Sequence, residues 1–223
     1  MTYLALIFSV LIGIIIVYGL KPNNKIVQLL LSFSGAYLLS ITILHLLPEV
    51  YNSESKNAGL FILIGLLLQL ILDFFSEGAE HGHIHVRDEI HFPWALFVSL
   101  SIHAFLEGIP LAHSHNHEQL LWAIVIHNIP IAIILGTFFV NSNISKKNAI
   151  AFLILFSLMS PLGKLVGVYM EGIAAYKNEI TAIIVGIFLH ISTIILFESS
   201  KDHKFNVLKF GTILLGMLIA YLA

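Results

Sequence analysis

Scanned for apolar and polar positions, the chain resolves into long apolar runs separated by short polar clusters. The runs fall at residues 3–20, 26–48, 59–76, 92–112, 119–140, 149–170, 180–198 and 207–223. A helix rising about 1.5 Å per residue needs about 20 mostly apolar residues to cross a hydrocarbon core of about 30 Å, so the pattern predicts eight membrane-spanning helices. The interruptions Pro22-Asn23-Asn24, Asn52-Ser53-Glu54-Ser55, Asn141-Ser142-Asn143 and Ser199-Ser200-Lys201-Asp202 are turn-forming clusters. The longest connection is the third, residues 77–91, which leaves no soluble domain and predicts one transmembrane domain over 1–223. The first run is expected to stay as a span, since Met1-Thr2-Tyr3 offers no basic region and no small-residue cleavage site precedes Lys21.

Composition turns this pattern into a statement about solvent. The chain is 58% hydrophobic and 11% charged, with a mean hydropathy of +0.93, where a soluble protein carries about 25% charged residues. A water-facing surface of that composition would be one large apolar patch, so the partner of this surface is membrane lipid. A net charge of −2 gives no reason to expect nucleic acid, and the absence of cysteine excludes disulfides and thiolate metal sites. Basic residues resist translocation, and they divide unevenly between the two sides. The first, third, fifth and seventh loops, the last counted with the start of the eighth run, hold Lys21, Lys25, Arg87, Lys146, Lys147, Lys201, Lys204 and Lys209, against Lys56 and Lys177 in the second, fourth and sixth. This predicts a multi-pass protein of the cytoplasmic membrane with both termini outside.

Against so few charges, 12 histidines are conspicuous. His81, His83, His85 and His91 lie in the third loop, EHGHIHVRDEIH, and His113, His115 and His117 in the fourth, HSHNHE; His203 is in the seventh. Alternating loop histidines interleaved with carboxylates read either as loose metal-collecting tracts or as solvated loop polarity. His45, His103, His127 and His190 fall inside spans, where ionisable groups are costly and mark a partner or a pathway. In HAFLEG, His103 and Glu107 are four apart and share a helical face. They lie roughly 14 and 8 Å below the outer end of the fourth run, and His127 lies roughly 12 Å below that of the fifth. Three ligand-type side chains therefore occupy one slab of membrane, as a cation site or as a structural hydrogen-bond cluster. Pro110, Pro130 and Pro161 free the carbonyls of Leu106, Ile126 and Ser157, and such backbone at membrane depth is packed in protein or lines a wet cavity. His190 is a pathway candidate and His45 a candidate for the entrance.

Five segments together resemble the Zrt/Irt-like (ZIP) divalent-metal transporters across nearly the whole chain: GAYLLSITILHLLPEV, EHGHIH, SIHAFLEGIPLA, VIHNIPIAIILG and FSLMSPLGKLVG. The resemblance implies two inverted three-helix repeats flanking a central pair, the fourth and fifth helices, which hold the transport site. It implies uptake of zinc or a related cation into the cytosol, and a homodimer. Carried over by position, His103 and Glu107 match the fourth-helix ligands, and His127 with Asn128 the polar pair of the fifth. His45 and Glu49 match the outer end of the second helix. Departures from the family pattern are Ala104, Ile131 and Ser160, each at a position that in relatives contributes to a second metal. Lys164, one turn beyond Ser160, is then either a charge substitute for that second cation, pairing with Glu107, or a lysine snorkelling to an interface.

Two neutral imidazoles and one carboxylate carry a charge of −1, which suits modest affinity and an ion that must also leave. Nitrogen and oxygen donors suit Zn²⁺, with Fe²⁺, Mn²⁺, Co²⁺ and Cd²⁺ as the other candidates, and no organic cofactor is called for. The expected path is capture by His113, His115 and His117, coordination at His103, Glu107 and His127, and release toward His81, His83 and His85. Protons compete for imidazole, so uptake should weaken below about pH 6.5. The rival readings are an intramembrane zinc hydrolase, which HExxH or a GxS elbow would favour and neither is present, a metal efflux carrier, and a scaffold that has lost transport. The expectation is a transporter and not an enzyme.

Overall fold

The computed structural model describes residues 1–53, 57–76, 94–113, 117–142, 144–169, 172, 175–197 and 206–223, and all structural statements concern these. Their regular secondary structure is helical. We number the rods α1 (Thr2–Leu20), α2 (Asn24–Tyr51), α3 (Ala58–Ser76), α4 (Trp94–Ala112), α5 (His117–Asn141), α6 (Lys146–Tyr169), α7 (Lys177–Phe197) and α8 (Val207–Leu222). The first seven are long and apolar enough to cross a membrane. The eighth is apolar but has 16 residues, which at about 1.5 Å each falls short of a core of about 30 Å. The chain is a multi-pass membrane protein.

Polar residues between the runs cap the helices that follow them. Asn23 accepts from the Ile26 N–H at 2.9 Å, Ser145 from that of Asn148 at 3.3 Å, and Asn206 from those of Leu208 and Lys209 at 3.1 Å each, capping α2, α6 and α8. Lys21 closes α1 in the left-handed region, at φ 46°, immediately before Pro22.

Inside lipid both faces of a helix are apolar, so packing is decided by shape. On α1, Leu4, Phe8, Ile12 and Ile15 are exposed while Leu6, Val10, Gly13 and Val17 are buried. The inner rods are α2, α4, α5 and α7, with α1 against α5, α3 against α7, α8 against α2, and α4 against α6. Two glycine pairs set the closest approaches. A Cβ at Gly65 would overlap the Ile183 carbonyl and one at Gly186 that of Ile62, locking α3 to α7; Gly163 meets the Phe105 carbonyl and Gly108 that of Ser160, locking α4 to α6. Small residues that let backbones touch are the usual means of helix association without a hydrophobic driving force.

The prolines act in different ways, and Pro48 joins the three that the sequence singles out. A π-turn over Thr42–Leu46 precedes Pro48 in α2, with Leu47 N–H bonded to the Thr42 carbonyl. The last turn of α4, Ile109–Ala112, tightens to 3₁₀ around Pro110, and α6 breaks at Leu158 ahead of Pro161. Pro130 is accommodated within α5 without ending it.

Candidate metal centre

His103 and Glu107 project from successive turns of α4, and His103 Nε2 stands 2.8 Å from Glu107 Oε1. His127 enters from α5, its ring 6.1 Å from that of His103 and at 82° to it. One donor atom from each of the three lies within 4.8 Å of the others. All are buried, at 2%, 0% and 0% exposure for His103, Glu107 and His127. Donors sharing a tetrahedral zinc at about 2.0–2.1 Å stand about 3.3 Å apart, so modest side-chain rotation closes the set on one ion. Glu107 Oε2 is buried and takes no hydrogen bond among the described residues. A buried carboxylate oxygen without a donor is costly, and a cation removes that cost.

The surroundings contain partners that the sequence reading did not single out. Gln69 of α3, fully buried, places Oε1 3.1 Å from His103 Nδ1. One turn further along α3, Asp73 Oδ2 lies 4.0 Å from His190 Nε2 on α7. The available signal was the pair of polar residues four apart in LLLQLILDFF, at depth in an otherwise apolar run.

Other predicted residues are distributed around this cluster. Asn128, buried beside His127, donates from Nδ2 to Ser160 Oγ at 3.4 Å and so bridges α5 to α6. Lys164 is partly buried and holds its ammonium 5.3 Å from the centroid of the Tyr3 ring on α1. Glu107 meets His103 Nε2 on its own helix at 2.8 Å. His113, at the C-terminal end of α4, places Nε2 2.8 Å from the Gly167 carbonyl oxygen, which leaves Nδ1 for any further contact. His45 is half-buried on the π-turn and Glu49 half-buried in the last turn of α2. His117 opens α5. His81, His83, His85 and His115, with the loop 77–91, lie outside the described residues.

A bundle of apolar helices enclosing two imidazoles and a carboxylate defines a polytopic membrane protein with a site suited to a divalent cation. A family model described as ZIP Zinc transporter matches residues 77–223. Zinc transporter ZIP1 of Takifugu rubripes is 31% identical, over 90% of this chain and 85% of its own length. Protein zntD of Dictyostelium discoideum is 26% identical over 63% of this chain, which spans only 24% of that protein; Zinc transporter ZIP1 of Danio rerio is 28% identical over 58% of this chain and 45% of its own length. The chain belongs to the ZIP zinc transporter family. Family membership makes the resemblance read from the five segments secure and sets aside the hydrolase, since ZIP transporters are not enzymes.

Proposed function

We propose that this protein carries a divalent metal ion, zinc foremost, across the cytoplasmic membrane into the cytosol, and that His103, Glu107 and His127 form the site through which it passes. The observation that carries this reading is the closeness of the three donors, buried and drawn from two helices, with a carboxylate oxygen left for a cation. Zinc is favoured by the imidazole pair and by the printed names of the two ZIP1 relatives. Fe²⁺, Mn²⁺, Co²⁺ and Cd²⁺ are the further candidates. Asn128 adds an oxygen donor beside His127. His45, Glu49, His113, His115 and His117 serve the outer entrance, and His81, His83 and His85 collect the ion on the cytoplasmic side. Ser160 and Lys164 occupy the region where relatives hold a second metal, and His190 lies along the path.

The proposed architecture is one transport unit of eight spans with both termini outside, in which α1–α3 and α6–α8 are inverted repeats around α4 and α5. Packing supports it. Exchanging α1 with α6, α2 with α7, α3 with α8 and α4 with α5 turns the contact of α1 with α5 into that of α6 with α4. The same exchange turns α3 against α7 into α8 against α2. The unit works as a homodimer in the membrane.

The test is zinc uptake into oriented proteoliposomes. The parent should accumulate Zn²⁺ when its outer face is presented, whereas His103→Ala and Glu107→Ala should not. Unchanged uptake in both variants would remove the site assignment, and export in place of uptake would reverse the direction.

A further inference from the structure

Gln69 is the buried polar side chain that touches the cluster without yet having a role. We propose that Gln69 is a positioning residue that fixes the tautomer of His103 and, by being neutral, holds the donor strength of His103 at a level from which the metal can leave. This rests on the reading of His103 as a metal ligand.

With its carbonyl oxygen toward the ring, Gln69 selects the tautomer. A carbonyl oxygen only accepts, so Gln69 Oε1, 3.1 Å away, places a hydrogen on His103 Nδ1. The Nε2 lone pair is then directed into the cluster, where Glu107 Oε1 lies 2.8 Å off. At that distance a proton or a cation lies between the two atoms, and a metal ion that takes the place of the proton there also reaches His127. With the lone pair on Nδ1 instead, the Gln69 amide would have to turn its nitrogen to the ring, and the hydrogen would sit on Nε2. Orientation of a metal-ligating imidazole through its other nitrogen is the general role of such an outer contact.

The identity of the acceptor sets the strength. A carboxylate at this place would polarise the imidazole more and make it a stronger donor. It would also take the buried charge from −1 to −2, cancelling that of M²⁺. An ion crossing a membrane has to bind well enough to enter and weakly enough to leave, and a neutral amide preserves the second condition. The support is rigid as well. Gly65 lies one turn before Gln69 on α3, at the point where α3 is locked to α7 by the Gly65–Ile183 and Gly186–Ile62 contacts.

The experiment compares the full-length parent with Gln69→Met and Gln69→Glu. Zn²⁺ affinity is read by competition with a chromophoric chelator in detergent, KM and Vmax for Zn²⁺ by uptake in proteoliposomes, and the His103 tautomer by ring ¹⁵N shifts. Gln69→Met, similar in size but without an acceptor oxygen, should weaken Zn²⁺ binding by about 10–100-fold and release the tautomer preference. Gln69→Glu should restore the tautomer, bind Zn²⁺ at least as tightly as the parent, and lower both KM and Vmax because release slows. Unchanged affinity in Gln69→Met would overturn the proposal. So would Gln69→Glu losing as much affinity as Gln69→Met, since packing alone would then be at stake, and this arm decides the matter even if Gln69→Met fails to fold. His103→Ala separates the two levels: if it binds Zn²⁺ like the parent, the site assignment fails, whereas a failure confined to Gln69 leaves the effect of His103→Ala intact.

Discussion

Replacing His127 by alanine removes the one ligand of the cluster that comes from α5 and leaves the α4 pair, with its 2.8 Å spacing, in place. Four-ligand structural zinc sites are worth about 10–16 kcal/mol, or about 2.5–4 kcal/mol per ligand. At about 1.4 kcal/mol per decade, the loss of one ligand from three is expected to weaken binding by about two to three decades. Binding should not vanish, because His103 and Glu107 still offer two donors from adjacent turns of one helix. Uptake should fall further than affinity, since an ion held only by α4 no longer joins the two helices between which it has to pass. The assay is Zn²⁺ competition in detergent alongside uptake in proteoliposomes, with His190→Ala as the comparison. His190 pairs with Asp73 and stands apart from the three donors, so that variant should keep the affinity of the cluster. A loss below about tenfold in His127→Ala, or an equal loss in His190→Ala, would refute the reasoning.

Three further outcomes follow from the packing. Gly163→Leu places a side chain against the Phe105 carbonyl, so α4 and α6 must separate; a cost of about 1–3 kcal/mol is expected, read as a lower unfolding temperature in detergent, with a fall in zinc affinity as α4 shifts. Gly211→Ala adds a methyl where nothing lies within 4 Å, and its unfolding temperature should match or slightly exceed that of the parent, the helix-propensity gain being about 1 kcal/mol at most. Asn206→Ala removes the acceptor for the Leu208 and Lys209 amides, and about 1 kcal/mol of stability should go with it, seen as faster hydrogen exchange in the first turn of α8.

Much of this was legible in the primary structure because lipid imposes a simple rule. Apolar length marked the helices, and short polar clusters marked their ends; Asn23 of one cluster caps α2, whereas the caps Ser145 and Asn206 lie a few residues beyond the clusters read from the sequence. The i, i+4 spacing of His103 and Glu107 and the depth of His127 sufficed to bring three donors together, since two antiparallel neighbours at equal depth have little choice but to meet. Residues on more distant rods were beyond that arithmetic. Gln69 reaches His103 and Asp73 reaches His190 through the docking of α3 on α7, which is set by Gly65 and Gly186 and leaves no trace in hydropathy. Lys164 shows the same limit. Its position on α6 was clear, but the direction of its side chain, toward Tyr3 of α1, depends on which rod α6 exposes it to.

The claim that a metal ion is held between α4 and α5 is tested most directly by a zinc-edge anomalous difference map of the Zn²⁺-loaded protein. The account predicts a peak about 2.0–2.2 Å from His103 Nε2, a Glu107 carboxylate oxygen and a ring nitrogen of His127. A fully loaded, transport-competent protein whose only intramembrane peak lay elsewhere, for instance between Asp73 and His190, would contradict it.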